Sequence, residues 1–218
     1  MPNSAPSSPP HLDVDSRADD VFAQARAILG DGLRPEVPLT GLGGRVLIGE
    51  LISKGVEPPT QLIEDFLYEG RVHAVVSEAG TGKTLLALWA ALEVMKEGGS
   101  VLYLDEENGG RLIGERLLNM GADLEMLDRS FFYHHSPGIT LKANALAELR
   151  VTAEAVRPAL VVFDSLPDFL ALAGLNENEA ADVTRWFLEV ARPLRDAGSA
   201  VLLLDHVVKS AEGRGRYA

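Results

Sequence analysis

From residue 71 onward the chain alternates short apolar runs with longer segments in which apolar residues return every three or four positions. Runs at residues 72–76, 101–105, 130–134, 160–163 and 200–205 have strand length, and most are too uniformly apolar for a sheet with one wet face. The segments between them read as helices. Residues 84–97 are apolar nearly all round (Leu85, Leu86, Leu88, Trp89, Leu92, Val94, Met95), which predicts a buried helix stopped by Gly98 and Gly99. Leu146, Leu149, Ala153 and Val156 repeat at helical spacing and end before Pro158. Val183, Trp186, Phe187, Val190 and Leu194 do likewise, and Pro193 is expected to kink or shorten that helix. Strands separated by helices predict a parallel sheet covered on both faces, an α/β fold. Right-handed crossovers then gather the C-terminal strand ends on one edge, where ligands bind.

The pattern ahead of residue 71 is weaker. Residues 1–17 read as a disordered tail, Ser/Pro-rich at its start and without the basic and apolar regions of a signal peptide. Residues 17–29 predict a short helix with Val21, Phe22, Ala25, Ile28 and Leu29 on one side, closed by Gly30 and Gly32. Residues 33–60 carry so many Pro and Gly that little regular structure is expected beyond a turn of helix near 46–52. Residues 61–68 are expected to form a short helix before the first strand. The chain thus divides into a tail (1–17), an accessory segment (18–60) and a core (61–218), with no internal repeat.

Composition narrows the class. With 218 residues, 46% apolar, the chain is long enough for one domain with a real core. It has no cysteine, so disulfides and thiolate metal sites are excluded and a reducing compartment is allowed. No apolar run reaches the roughly 18 residues of a membrane span, so no membrane partner and a cytoplasmic location are expected. The net charge of −12 argues against a broad nucleic-acid-coating surface while leaving room for a local basic patch.

The chemistry concentrates at four strand ends. After residues 72–76 comes Ser77-Glu78-Ala79-Gly80-Thr81-Gly82-Lys83-Thr84-Leu85, a tight turn opening a helix. That order builds a phosphate cradle from backbone N–H groups and the positive helix end. Lys83 is placed to reach the outer phosphates, and the Thr84 hydroxyl can hold Mg²⁺. The pattern G-x-x-x-x-G-K-[ST] asks for Gly where this chain has Ser77. The second end is Leu160-Val161-Val162-Phe163-Asp164-Ser165, whose Asp is the usual Mg²⁺ partner of such a loop; the alternative is a simple strand cap. The third is Tyr103-Leu104-Asp105-Glu106-Glu107-Asn108. Three successive carboxylates repel unless a cation or a solvated turn relieves them, and one of them can act as general base. The fourth is Leu204-Asp205-His206, where an imidazole can sense a γ-phosphate or be merely structural.

Taken together, Ser77 to Thr84, Tyr103 to Asn108, Phe163-Asp164-Ser165 and Leu204-Asp205-His206 resemble the RecA-like ATPases. The likeness is greatest to the branch with RepA-type replicative helicases and DnaB-related phage ATPases, and spans residues 56–216, Arg111 and Arg116 included. It implies a three-layer P-loop NTPase fold with sheet order 3-2-4-5-1, with Glu107 as catalytic glutamate, Asn108 in place of an Asp, Asp164 at the metal and His206 as sensor. It also implies further strands after Tyr217-Ala218, so the chain reads as truncated there. Lys209, Arg214 and Arg216 are then either the start of an inter-subunit element or a basic tail, and no arginine finger is assigned.

The resulting expectation is Mg²⁺-dependent ATP binding and hydrolysis by a motor or loader core. Residues 77–85 would cradle the phosphates, Thr84 and Asp164 hold Mg²⁺, and Glu107, Lys83 and His206 act at the reacting end. The resemblance implies single-stranded DNA as partner in replication or recombination, possible helicase activity, and a homo-oligomer in the full-length form. The alternatives are a P-loop kinase for a small molecule, for which an arginine-rich lid is lacking, and a nucleotide-dependent regulator that rarely hydrolyses.

Overall fold

The computed structural model describes residues 47–53, 55 and 58–206. The expected tail, the helix over 17–29 and the basic residues Lys209, Arg214 and Arg216 lie outside the described residues. The chain divides into two compact units, Met1–Val56 and Glu57–Ala218. In the first, α1 (Ile48–Ser53) falls where the sequence predicts a turn of helix, and the Ser53 hydroxyl closes it onto Glu50 O at 2.9 Å.

In the second unit, residues 61–68 correct the sequence expectation. They form an antiparallel hairpin, β1 (Gln61–Ile63) and β2 (Leu67–Tyr68), rather than a helix. Asp65 turns the chain at φ 54°, and its N–H donates to Gln61 Oε1 at 2.8 Å, which satisfies locally a group that a helix would otherwise pair. Tyr68 N–H donates to His73 Nε2 at 3.1 Å, tying the hairpin to the first long strand.

Five strands form one parallel sheet: β3 (Val72–Ser77), β4 (Val101–Asp105), β5 (Phe131–His135), β6 (Leu160–Asp164) and β7 (Ala200–His206). Their spatial order is β3-β7-β6-β4-β5, which is the predicted 3-2-4-5-1 read from the other edge. The fold is the RecA-like P-loop NTPase arrangement. Helices lie between the strands: α2 (Lys83–Lys96), α3 (Gly110–Asn119), α4 (Leu124–Ser130), α5 (Ala143–Val156), α6 (Leu166–Leu172), α7 (Ala180–Trp186) and α8 (Arg192–Asp196). Ser130, expected to open the third strand, is the last residue of α4.

Strand alternation divides the core in two. On one face, Tyr103, Val162 and Leu202 pack with Leu88, Leu92 and Met95 of α2 and with Ile113 and Leu117 of α3. On the other, Leu102, Phe163 and Leu203 pack with Phe169, Trp186 and Leu194. The helix α2 is less enclosed than its composition predicts: Leu85, Leu86 and Trp89 are 45%, 37% and 42% exposed. Those side chains share the side turned away from the sheet, where apolar composition alone cannot report burial. At Pro193, where a kink or a shortened helix is expected, the helix is locally widened. Helix runs on from α7 through a π turn, Phe187–Ala191, into α8, with Pro193 in the first turn of the latter. The widened turn accommodates a ring that has no N–H to give, so the helix is not shortened.

Candidate functional site

The strand β3 ends at Ser77, and α2 begins six residues later at Lys83. Gly80 and Gly82 sit at φ 76° and 96°, left-handed values that favour glycine, and a Cβ at either would meet nothing within 4 Å. The requirement there is conformational rather than steric. No side chain caps the start of α2, which leaves its first N–H groups able to take an anion. Lys83, 7% exposed, donates to Ser77 O at 3.0 Å and Glu78 O at 2.9 Å, which holds its ammonium against the inner side of the loop. Ser77, the departure from the loop pattern, has a use: its hydroxyl lies 2.5 Å from Thr81 Oγ1. The single Thr81 proton goes to Glu78 O at 2.8 Å, so Ser77 is the donor in that clasp across the loop.

The strand ends converge on a buried carboxylate. Asp164, 1% exposed at the end of β6, accepts on Oδ2 from Tyr103 Oη at 2.8 Å, Thr84 Oγ1 at 3.0 Å and Asn108 Nδ2 at 3.3 Å. Burial first, then the neighbouring carboxylates of Asp105 and Glu107, outweigh the opposing hydrogen bonds of Tyr103 and Thr84 and push its carboxyl up to about 6. A desolvated carboxylate of this kind is better stabilised beside a cation. The Thr84 proton is spent on Asp164, so the hydroxyl keeps its lone pairs for a metal. Carboxylate and hydroxyl oxygens suit Mg²⁺, and the residues present therefore fit that ion. Among the described residues no group of three or more His, Asp or Glu side chains could hold a metal unaided.

Asp105 pairs in register with Asp164 across β4 and β6 and is fully buried. Within the acidic turn, Asp105 Oδ1 accepts from the N–H groups of Glu107 and Asn108, both at 2.9 Å, and Oδ2 accepts from Tyr133 Oη at 2.8 Å, while the Glu107 side chain is partly exposed. Asp105 thereby folds the turn that carries the two glutamates. Glu106 turns away from the loop and accepts from Gly138 N–H at 3.1 Å; partial burial raises its carboxyl above the usual range. Glu107, its side chain 45% exposed, faces His206, whose Nε2 lies 3.6 Å from Glu107 Oε1. His206 pairs in register with Ser77, the first residue of the loop.

The structure thus brings Ser77, Lys83, Thr84, Glu107, Asp164 and His206 to one sheet edge, with Glu106 directed elsewhere. Sequence reasoning placed Tyr103 in a motif without giving it a role, and it did not single out Tyr133. Their signal was available: a tyrosine two residues before a strand-end aspartate faces the same side of the sheet, as Tyr103 does to Asp105. Tyr133 Oη reaches Asp105 only because β5 lies beside β4 with Tyr103 opposite Tyr133. Residues 38–212 match the family described as the AAA domain. No curated protein matches the chain.

Proposed function

Because this chain belongs to the AAA domain family of P-loop ATPases, we propose that it binds and hydrolyses Mg²⁺-ATP at this edge as a motor or loader core working on DNA. The observation that carries the nucleotide reading is the 3.0 Å hydrogen bond from Thr84 to Asp164, which joins the phosphate loop to the end of β6 across 80 residues of sequence. The loop amides and Lys83 take the β- and γ-phosphates, with the ammonium moving from the carbonyls of Ser77 and Glu78 to phosphate oxygens. Thr84 and Asp164 hold Mg²⁺, which when bound neutralises charge on the phosphate oxygens.

Hydrolysis is in-line attack of water on the γ-phosphorus: a P–O bond forms to that water, the bond to the β,γ-bridging oxygen breaks, and ADP leaves. Glu107 takes the water's proton, and His206 steadies the Glu107 carboxylate while its ring lies near the loop. Catalysis is otherwise positioning and charge stabilisation. The DNA role is supported by the four-part motif order and its likeness to replicative helicases.

Lys83→Ala removes the cation of the cradle without touching core packing, so it should abolish tight binding in a titration with a fluorescent ATP analogue. Unchanged affinity would remove the cradle assignment. Turnover measured with and without single-stranded DNA tests the second half: the motor reading expects stimulation, and equal rates would favour a different substrate for the same ATPase.

A further inference from the structure

Asp164 has an unusual set of donors: every side-chain hydrogen bond it accepts among the described residues ends on Oδ2, from Tyr103, Thr84 and Asn108. Tyr103 is fully buried in the middle of β4, where a phenylalanine would fill the same space. Its hydroxyl is therefore there for the bond to Asp164 and not for packing. The ring is also held in place, with Phe131 at 5.6 Å and Tyr133 at 6.2 Å between centroids, so the phenol cannot follow the carboxylate if that group turns.

We propose that Tyr103 is a positioning residue for the metal half of the nucleotide site, fixing the rotation of Asp164 and with it the direction in which Thr84 presents its lone pairs. Asn108 is the second support. Its Nδ2 donates to Asp164 at 3.3 Å and to Asp105 at 3.2 Å, while Arg116 donates to its Oδ1 at 3.5 Å. An amide there brings two buried carboxylates together, where an aspartate would add a third negative group. The phosphate cradle is built from other atoms, the loop amides and Lys83, and touches neither Tyr103 nor Asn108 in these bonds. The inference rests on the nucleotide reading above and separates from it by measurement.

The test uses the whole 218-residue chain, a fluorescent ATP analogue, and binding measured first in EDTA and then along a Mg²⁺ titration. For Tyr103→Phe, metal-free affinity should stay within about twofold of wild type while the half-saturating Mg²⁺ concentration rises about tenfold, the factor carried by one hydrogen bond to a charged group. Asn108→Ala should shift the Mg²⁺ curve in the same direction by about threefold, and it supplies the readout if Tyr103→Phe does not fold. An unchanged Mg²⁺ curve in the folded variants overturns the proposal. So does an equal loss of affinity with and without metal, which would make Tyr103 a purely structural residue. If wild-type binding itself shows no Mg²⁺ dependence, the nucleotide reading fails first and takes this one with it.

Discussion

Two neighbouring glutamates after β4 have opposite surroundings, and their roles follow from that. Glu106 is turned onto Gly138 N–H, whereas Glu107 stands open at the ligand edge beside His206. Glu107→Gln should therefore still bind Mg²⁺-ATP while losing turnover by about a hundredfold or more, the scale of a general base. Glu106→Gln keeps a hydrogen-bond acceptor for Gly138 and should retain turnover within a few-fold. The reverse outcome would mean that the assignment is off by one residue. Asp164 gives a second residue-level expectation. Its folded value of about 6 lies above the ordinary value of 3.8, so the folded chain binds more protons than the unfolded chain between those two values. Stability therefore rises as pH falls through that window, and the cost of keeping Asp164 ionised, on the order of 3 kcal/mol, is fully present above it. Melting curves of wild type and Asp164→Asn without nucleotide should show the variant's advantage shrinking between about pH 7 and 4.5. A constant difference would mean that Asp164 titrates normally.

Elements were legible where local pattern and tertiary role agree. The central strands β4, β6 and β7 announce themselves as apolar runs because they are buried on both faces, whereas the outer strands β3 and β5 are only half-buried and carry His73, His134 and His135; α5 closes before Pro158 as the spacing requires. The hairpin at 61–68 was not legible as such, since Ile63, Phe66 and Leu67 sit at helical spacing. Its turn depends on Gln61 reaching Asp65 and on a non-glycine residue at positive φ. The exposed side of α2 was hidden for another reason: Leu85, Leu86 and Trp89 are as apolar as the residues that face the sheet. The site itself was half legible. Residues that touch a nucleotide lie in contiguous motifs, whereas Tyr103 reaches Asp164 across 61 residues and Tyr133 reaches Asp105 across 28, which only strand order reveals. The second core face makes a prediction at this scale. Trp186, 1% exposed, packs edge-on against Phe163 at 5.1 Å, so Trp186→Ala should lower unfolding free energy in urea by about 3–5 kcal/mol. Its indole N–H is buried without a partner among the described residues. Trp186→Phe removes that unsatisfied donor along with some packing, and should cost well under half as much. Equal losses for the two variants would mean that the N–H is paired in solution.

For the whole molecule, the placement of charge argues for how the site is completed. The chain carries a net charge of −12, and Lys96, Arg111, Arg129, Arg185, Arg192 and Arg195 are each ion-paired within their own helix or turn. Such exposed pairs add little stability, yet they occupy cations that could otherwise serve a phosphate. Lys83 is the cation that the described residues bring into the phosphate loop, and the glutamate opposite it lies at a solvent-open edge. Phosphoryl transfer gains orders of magnitude from a second cation at the developing charge, which in P-loop enzymes can be supplied in trans. We therefore expect ATP turnover per chain to rise with protein concentration as copies associate edge to edge, while nucleotide affinity changes little because the cradle is complete in one chain. Turnover should be followed over about three decades of concentration, with light scattering on the same samples, and the rise should coincide with the growth in mass. Constant turnover per chain while scattering reports growing mass would place the second cation within the chain itself and remove the need for a neighbour.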